Sequence, residues 1–512
     1  MIRPFLLIIL DGWGIAPAGP NNPLSQAKTP TLDYLFKKYP HTQLKAHGEF
    51  VGLPKNQVGN SEAGHINIGA GRIVTQDSVY ISESIKNGTF LKNPAFLEAM
   101  QHLRTYRSRL HLMGILSNEQ CPHMSPKHLI ALFKLIKKHN LKEVILHFFA
   151  DGRDSPPKSI LSSWRKIESA CTPNIKIGSV SGRLYLDRKK CWERTEKLYN
   201  LLTLGQADFS SSSFRQAILD SYQRGETDEF ISPTVIKNNF QPIEDGDSII
   251  FYNLRSDRAR QLTKPFVQTN FELDSEKTFI RKKRLANIKF VAMTDFGPDL
   301  GDVLTAYPSR DIKNSLPVVL RNLRQLYITE TEKYAHLTYF FNGGFEHPVA
   351  GEQRILVRSP QTDSYDKTPE MSAAEIAQVV STSLENNFYD FIAVNFSNFD
   401  MIGHTGNFQA AISAGKTIDK YLAQLLTVIK KKKGFLIITS DHGNIEIIKD
   451  KKTGNIDTMH EKSLVPFILA TPLKEKLLLR PEGILGDIAP TILALLGIKK
   501  PPEMTGKSLI IK

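Results

Sequence analysis

The chain has 512 residues, which is enough for about three folding units or for two large domains. Hydrophobic residues make up 41% of it and charged residues 23%, so a mainly disordered chain, a fibrous repeat and a disulfide scaffold are excluded. The formal net charge of +14 suits nucleic acid, an acidic membrane surface or a small anionic substrate, and charge alone does not choose among them.

The first predicted element is a buried strand over residues 5–10. This apolar run stops at Asp11 and Gly12, well short of the roughly 20 apolar residues that a membrane helix needs. It also lacks the small residues that end a signal peptide. The chain has only three cysteines, which do not cluster, and this pattern favours a reducing cytoplasm.

The middle of the chain predicts a second alternation of strands and helices. Residues 144–149 and 249–252 are apolar runs that end in polar, charged segments. We therefore expect a second α/β domain inserted between two halves of the first, with crossovers near residues 75–78 and 307–312. The predicted domains are residues 1–76 with 310–512, and residues 77–309.

Two late apolar runs, residues 391–396 and 435–439, are separated by a helical pattern over residues 410–429. Such runs predict a parallel sheet with both faces covered by helices, and hence the α/β class. Asp11, Asp400 and Asp441 each follow a run of this kind. Functional groups in open α/β sheets gather beyond the carboxyl ends of strands, so we expect these carboxylates to belong to a site.

Histidines accompany these carboxylates in the sequence. His404 comes four residues after Asp400, which places the two side chains on one helical face or in one tight loop. His442 is adjacent to Asp441, and His460 follows further on. Each one alone is more often structural, but together they indicate metal chemistry. Oxygen and imidazole ligands favour Mn²⁺, with Zn²⁺, Mg²⁺ or Co²⁺ as alternatives.

Ser61 is the candidate nucleophile. It lies in residues 59–65, where glycines on either side suit a tight turn that exposes a hydroxyl. The alternative interpretation is a serine at a helix N-cap. A bound dication lowers the pKa of a serine hydroxyl, so the Ser61 oxygen is also counted as a ligand. Seven groups are too many for one tetrahedral ion and suit two ions. The candidate ligands are Asp11, Ser61, Asp400, His404, Asp441, His442 and His460.

Basic residues of the middle segment could hold an anionic substrate. Arginine side chains pair with phosphate and carboxylate oxygens through two parallel hydrogen bonds. Arg153 and Asp154 follow one predicted strand, and Arg255 and Arg258 follow another. Any one of them could instead be an ordinary surface residue. The candidate basic residues are Arg153, Arg183, Arg188, Arg255, Arg258 and, later in the chain, Lys333.

Taken together, these motifs resemble those of the cofactor-independent (2,3-bisphosphoglycerate-independent) phosphoglycerate mutases of the alkaline phosphatase superfamily. The resemblance extends from residues 7–14 to residues 504–509, and its most specific segments are residues 59–65 and 440–444. It implies an alkaline-phosphatase-like parallel-sheet domain with a second α/β domain inserted into it. It also implies interconversion of 3-phosphoglycerate and 2-phosphoglycerate in glycolysis and gluconeogenesis, without bisphosphoglycerate.

The resemblance assigns roles residue by residue. Asp400, His404 and His460 would bind one metal ion, and Asp11, Ser61, Asp441 and His442 the other. Ser61 would carry the phosphoryl group, and Asp154 would be the general acid and base. The residues that would hold the substrate or its phosphoryl group are His123, Arg153, Asp154, Arg183, Arg188, Arg255, Arg258 and Lys333.

Two segments depart from the family's pattern. Residues 119–124 contain a one-residue insertion relative to that pattern, and His123 lies within this altered segment. Residues 461–464 also differ, and the groups surrounding the His460 ligand could change with them.

The expected partner is therefore the small molecule phosphoglycerate, with two divalent ions as cofactors. The enzyme is expected to be a cytoplasmic monomer that binds neither nucleic acid nor membrane, and its two domains are expected to close during transfer to exclude water. Two alternatives stay open. A phosphatase or sulfatase could use the same two-metal core, and a nucleic-acid-binding protein could use the +14 charge, although no basic stripe is evident.

Overall fold

The computed structural model describes residues 4–273, 278–297, 299–310, 312–449, 456–472 and 477–511. The chain forms two compact units, Met1–Gln76 with Arg310–Lys512, and Asp77–Ser309. The predicted crossover near residues 307–312 includes Asp311, which lies outside the described residues. Among the described helices, none combines the length and the apolar character needed to cross a bilayer.

Short strands occur along the whole of the described chain. In order they are β1 (Phe5–Leu10), β2 (His41–Lys45), β3 (Leu110–Leu116), β4 (Val144–Ala150), β5 (Ile175–Gly182), β6 (Phe209–Ser211), β7 (Thr234–Ile236), β8 (Ser248–Phe251), β9 (Lys289–Thr294), β10 (Leu304–Tyr307), β11 (Gln325–Glu330), β12 (Gln353–Val357), β13 (Phe391–Phe396), β14 (Phe435–Thr439), β15 (Val465–Ala470) and β16 (Glu482–Ile484).

Helices alternate with these strands. They are α1 (Pro23–Gln26), α2 (Pro30–Lys38), α3 (Ser61–Ala70), α4 (Asp77–Lys86), α5 (Pro94–Tyr106), α6 (Pro126–Lys138), α7 (Ile160–Arg165), α8 (Trp192–Leu204), α9 (Phe214–Gln223), α10 (Arg260–Val267), α11 (Leu316–Val319), α12 (Ala373–Glu385), α13 (Asn398–Gly403), α14 (Phe408–Lys431) and α15 (Ile488–Leu496). The predicted helix over residues 410–429 lies within α14.

The first unit is built on one sheet in the order β12-β11-β13-β1-β14-β15-β2-β16. Its central strands β11, β13, β1 and β14 are parallel to one another, and β15 is antiparallel to both β14 and β2. Every residue of β1 is buried. Leu6, Ile8 and Leu10 pack on one face and the alternate residues on the other, as expected for a strand covered by helices on both sides.

The second unit has its own sheet in the order β10-β9-β8-β3-β4-β5-β7-β6. All pairings are parallel except that of β5 with β7. Strands β3 and β4 are buried along their full length, and their apolar residues belong to one continuous core. The predicted α/β class, with a second α/β unit inserted into the first, is confirmed.

Candidate metal centre and anion-binding cluster

Strand register brings the carboxylates of the first unit together. Leu10 of β1 pairs with Phe396 of β13, and Ile9 pairs with Thr439 of β14, so these three strands end at the same edge of the sheet. Asp11 follows directly, and the backbone N–H of Gly12 donates to Asp441 Oδ1 at 3.1 Å. The carboxyl ends of these parallel strands are where a site in this fold class is expected.

Helix α13 begins just beyond β13 and carries Asp400 in its first turn. The four-residue spacing places His404 Nε2 3.3 Å from Asp400 Oδ1. His460 Nε2 approaches the same oxygen at 3.2 Å, and His442 Nε2 lies 3.8 Å from it. One carboxylate oxygen therefore faces three imidazole rings.

Backbone carbonyls determine which nitrogen of each ring carries the proton. His404 Nδ1 lies 2.9 Å from the carbonyl oxygen of Thr458, and His460 Nδ1 lies 2.8 Å from that of Gly59. Since a carbonyl only accepts, each Nδ1 donates, and in the neutral ring the lone pair is then on Nε2. The two Nε2 atoms lie 3.1 Å apart. Two facing lone pairs beside a carboxylate are the arrangement that a cation stabilises, so the donor set fits a divalent metal ion.

Ser61 is the first residue of α3, and the side chain of Asn60 caps this helix by accepting from the N–H of Ala63. The hydroxyl is buried, in contrast to the exposed turn that the flanking glycines suggested. Ser61 Oγ lies 3.2 Å from Asp11 Oδ1 and 3.0 Å from His442 Nε2. A Cβ at Gly64 would come within 2.6 Å of the Asp441 backbone, so glycine there permits the close approach of α3.

Lys333 belongs to the same centre. It follows β11, and its Nζ lies 2.7 Å from Ser61 Oγ, 2.6 Å from Asp11 Oδ1 and 2.5 Å from Asp400 Oδ2. Burial alone would lower the pKa of Lys333, but the Asp11 and Asp400 carboxylates outweigh it and raise the pKa. Burial likewise acts to raise the pKa of Asp11, and Lys333 holds it well below its usual range.

The neighbouring histidines are held in different charge states when no metal is present. Burial acts to lower the pKa of His442, but the carboxylate of Asp441 and those of Asp11 and Asp400 raise it to about 9. Burial, together with the charge of His442, lowers the pKa of His460 to about 4. A neutral His460 ring is ready to donate an electron pair to a metal.

Two residues of this centre were missed by sequence reasoning. His65 Nδ1 lies 3.2 Å from Asp441 Oδ2, and ligand atoms of Asp11, His65 and Asp441 lie within 4.8 Å of one another. Asn395 donates through Nδ2 to Asp11 Oδ2 at 2.8 Å and faces His65 Nε2 at 3.0 Å. His442 Nε2 lies 3.5 Å from Asp11 Oδ1, 3.6 Å from Asp441 Oδ2 and 3.8 Å from Asp400 Oδ1, so this ring faces all three carboxylates.

The second unit collects most of the predicted substrate residues at the carboxyl ends of β3, β4, β5 and β8. Arg183 follows β5 and pairs through Nη1 with Asp154 and, at 2.6 Å, with Asp151 Oδ1. Arg183 Nη2 donates to His123 Nε2 at 2.9 Å. Burial would lower the pKa of Arg183, and the carboxylates of Asp154 and Asp151 raise it instead.

The same cluster contains Arg188 and Arg258. Arg188 Nη1 lies 2.7 Å from Asp257 Oδ2, and Arg258 Nη1 donates to the carbonyl oxygen of Leu186 at 3.0 Å. Burial, followed by the charges of Arg183 and Arg188, lowers the pKa of Arg258 to about 10. In the described part of the chain, the Nε groups of Arg183 and Arg258 are buried without a hydrogen-bond acceptor. Buried, unpaired N–H groups among clustered cations suit an anionic ligand.

The remaining predicted residues differ in their placement. Burial lowers the pKa of His123 to about 3, and the nearby positive charge of Arg255 contributes to this decrease. The side chain of Arg153 is 55% exposed and reaches Glu229 only at 3.8 Å. Lys333, which was expected to hold the substrate or its phosphoryl group, lies beside Ser61 and contacts the Asp11 and Asp400 carboxylates.

Comparisons with known proteins show which family the chain is similar to. Residues 3–500 match the Metalloenzyme superfamily. The chain is 46% identical to 2,3-bisphosphoglycerate-independent phosphoglycerate mutase 2 of Methanosarcina barkeri, covering 100% of this chain and 99% of that relative. It is 43% identical to the 2,3-bisphosphoglycerate-independent phosphoglycerate mutase of Moorella thermoacetica, with the same coverage.

A solved structure is similar over the full length. The phosphoglycerate mutase of Leishmania mexicana, crystallised at low cobalt concentration, superposes with a TM-score of 0.83 at 27% sequence identity. The alignment covers 100% of this chain and 98% of that chain.

Proposed function

The chain belongs to the 2,3-bisphosphoglycerate-independent phosphoglycerate mutases within the Metalloenzyme superfamily and is therefore an isomerase, and on this premise we propose that it interconverts 3-phosphoglycerate and 2-phosphoglycerate through a phosphoserine on Ser61 at a two-metal site. The observation that carries the proposal is the position of the Ser61 hydroxyl. It lies among Asp11, His442 and Lys333 and at the start of helix α3. The N-terminus of a helix stabilises the negative charge that a phosphorylated serine would bring.

Seven side chains would hold the two ions. Asp400, His404 and His460 would bind one ion, and Asp11, Ser61, Asp441 and His442 the other. Mn²⁺ is the ion that we propose, because oxygen and imidazole donors suit it and thiolate donors are missing from this set. When bound, the ions lower the pKa of the Ser61 hydroxyl and offset the charge of the phosphoryl oxygens.

The transfer then consists of two balanced steps. Ser61 Oγ, whose proton would pass to solvent when the ions bind, attacks phosphorus, the bond from phosphorus to the glycerate oxygen breaks, and protonated Asp154 gives its proton to that oxygen. In the second step Asp154 takes the proton of the other glycerate hydroxyl, which attacks the phosphoserine and releases Ser61. The same carboxyl thus acts first as an acid and then as a base.

The second unit would bind the substrate between these steps. His123, Arg183 and Arg258 are buried and form a cluster with the more exposed Arg188, and Arg153 and Arg255 add further positive charge. We propose that this cluster holds the glycerate carboxylate and hydroxyls while Ser61 carries the phosphoryl group. Retention of glycerate, rather than attack by water, distinguishes a mutase from a phosphatase built on the same metal centre.

We also propose a place for the reaction in the cell. Interconversion of the two phosphoglycerates serves glycolysis and gluconeogenesis, which act in the cytoplasm, and the enzyme is proposed to work there as a monomer. Light scattering on the purified protein would test the monomeric state.

The experiment is an isomerase assay on the full chain with 3-phosphoglycerate and no added bisphosphoglycerate. We expect 2-phosphoglycerate to form, activity to disappear with chelator and to return with Mn²⁺, and little inorganic phosphate to be released. Phosphate release that exceeds isomer formation would indicate a phosphatase and overturn the proposal.

A further inference from the structure

His123 and Asp257 face each other in the second unit through two atoms that each need a partner. His123 Nδ1 lies 3.7 Å from Asp257 Oδ1. Both atoms are buried, and within the described part of the chain neither one has a hydrogen-bond partner. Asp257 lies in the polar segment after β8, between Arg255 and Arg258, and its carboxylate has no role in the proposed mechanism so far.

The protonation of His123 follows from its other nitrogen. Arg183 Nη2 lies 2.9 Å from His123 Nε2, and a guanidinium group can only donate. Nε2 therefore carries a lone pair, and the ring proton of neutral His123 is on Nδ1, the atom that faces Asp257. Burial keeps the ring neutral by lowering its pKa to about 3.

Asp257 contacts a second member of the cluster through its other oxygen. Asp257 Oδ2 lies 2.7 Å from Arg188 Nη1. Burial acts to raise the pKa of Asp257, but the charge of Arg255 and the hydrogen bond from Arg188 hold it below its usual range, so the carboxylate stays ionised. One carboxylate thus connects a histidine and an arginine that come from different loops.

We propose that Asp257 is a positioning residue of the phosphoglycerate site: its Oδ1 accepts the Nδ1 proton of His123, and its Oδ2 fixes Arg188. This inference rests on the proposed function, because it assigns the His123 and Arg188 side chains to substrate binding. A carboxylate that accepts from one imidazole nitrogen fixes the orientation of the ring and its tautomer, and so keeps the other nitrogen as the acceptor for Arg183. The distance of 3.7 Å is longer than a hydrogen bond and has to shorten by about 0.7 Å for Oδ1 to accept the proton.

The first test is spectroscopic and needs no turnover. Full-length protein with ¹⁵N-labelled histidine is compared as wild type, Asp257→Leu, Asp257→Asn and the control Asp208→Asn, which removes a surface carboxylate paired with Lys197. The His123 signal is identified by its loss in His123→Leu. We expect the Nδ1–H signal to shift in Asp257→Leu, to stay in Asp257→Asn, whose amide oxygen can accept, and to be unchanged in Asp208→Asn. An unchanged signal in Asp257→Leu overturns the proposal.

The second test separates positioning from simple loss of structure. We expect Asp257→Leu to lower kcat/KM by about tenfold to a hundredfold in protein that contains His123, as for loss of a hydrogen bond to a charged group. In protein that already carries His123→Leu, Asp257→Leu should lower kcat/KM by a several-fold smaller factor. The decrease that remains measures the effect of Asp257 on Arg188. Equal losses in both backgrounds overturn the proposal. If the wild type itself forms no 2-phosphoglycerate, the proposed function fails, and the spectroscopic test still decides the role of Asp257.

Discussion

The ammonium nitrogen of Lys333 lies 2.7 Å from the hydroxyl oxygen of Ser61. The same nitrogen contacts Asp11 and Asp400, so one lysine supplies positive charge to two buried carboxylates that are also candidate metal ligands. The ammonium group is thus placed to stabilise the centre before metal binds and to meet a phosphoryl group on Ser61 afterwards.

We expect Lys333→Met to destabilise the metal-free protein strongly. Removing one partner of a buried ion pair leaves uncompensated charge and costs about 3–5 kcal/mol. Divalent ions would replace the lost charge, so the loss should shrink in Mn²⁺. Chemical denaturation with chelator and with Mn²⁺ measures the difference.

The matched control for this prediction is Lys176→Met. Lys176 forms a partly exposed pair with Glu143 at 2.9 Å, and such pairs contribute less than about 1 kcal/mol. Equal destabilisation of Lys333→Met with and without metal would show that Lys333 does not act as the counter-charge of Asp11 and Asp400.

Replacing Ser61 by alanine should abolish the mutase reaction. The proposed covalent step needs its oxygen, so we expect kcat to fall by more than about a thousandfold, as when other nucleophiles are removed. Mass spectrometry after rapid acid quench should find phosphate on the Ser61 peptide of the wild type only. The control Ser162→Ala, at an exposed serine of the second unit, should keep both activity and the phosphopeptide. Full turnover by Ser61→Ala would falsify the covalent scheme.

Asn395 should govern metal affinity without binding the metal. Its amide connects Asp11 with His65, and loss of a group that orients a metal ligand typically costs about 10–100-fold in affinity. We expect this loss for Asn395→Leu in Mn²⁺ titration calorimetry of chelator-treated protein. The control is Gln325→Leu, which removes a buried amide on β11 whose side chain bonds with Pro317 and Tyr327. The same Mn²⁺ affinity in Asn395→Leu and wild type would refute the role.

We expect the free energy of unfolding of the second unit to decrease in mild acid because of His128. Burial lowers its pKa to about 4, while the unfolded side chain titrates near 6.5. Above pH 6.5 His128 is neutral in both the folded and the unfolded state and does not alter the free energy of unfolding. As the pH falls from 6.5 toward 4, only the unfolded state takes up a proton, so the free energy of unfolding decreases. From pH 7 to pH 5 this amounts to about 2 kcal/mol.

Urea unfolding of the full chain at both pH values, in wild type and His128→Gln, measures this contribution. The variant should show the smaller decrease on acidification, and replacing exposed His41 by glutamine should leave the decrease as it is. An equal decrease in wild type and His128→Gln would mean that His128 titrates normally in the folded chain.

The sequence predicted the strands and the chemistry at their ends because both depend on local pattern. The unbroken apolar run of β1 and the acid that follows it predicted a buried parallel strand and a site beyond it. The α/β class is confirmed, and the family suggested by residues 59–65 and 440–444 is confirmed by relatives at 43–46% identity.

Other features depend on contacts between residues that are far apart in sequence. Asn395 and Asp257 act through neighbours from other strands and loops, so no local spacing identifies them. The sequence does contain one indication of the role of Asn395. An amide within the apolar run of β13 is buried and must form hydrogen bonds with other residues. The contact of Lys333 with Asp11 and Asp400 had no such signal, because a lysine after a strand is ordinarily solvated.

Strand β1 lies between β13 and β14, whose residues are encoded more than three-quarters of the way along the chain. During synthesis the ribosome therefore releases the first strand, Asp11 and Ser61 long before their sheet neighbours exist. The inserted segment, which is continuous, can fold while the N-terminal residues wait. We expect truncated nascent chains that stop before residue 391 to present an unpaired apolar strand, and so to be the species most dependent on chaperones.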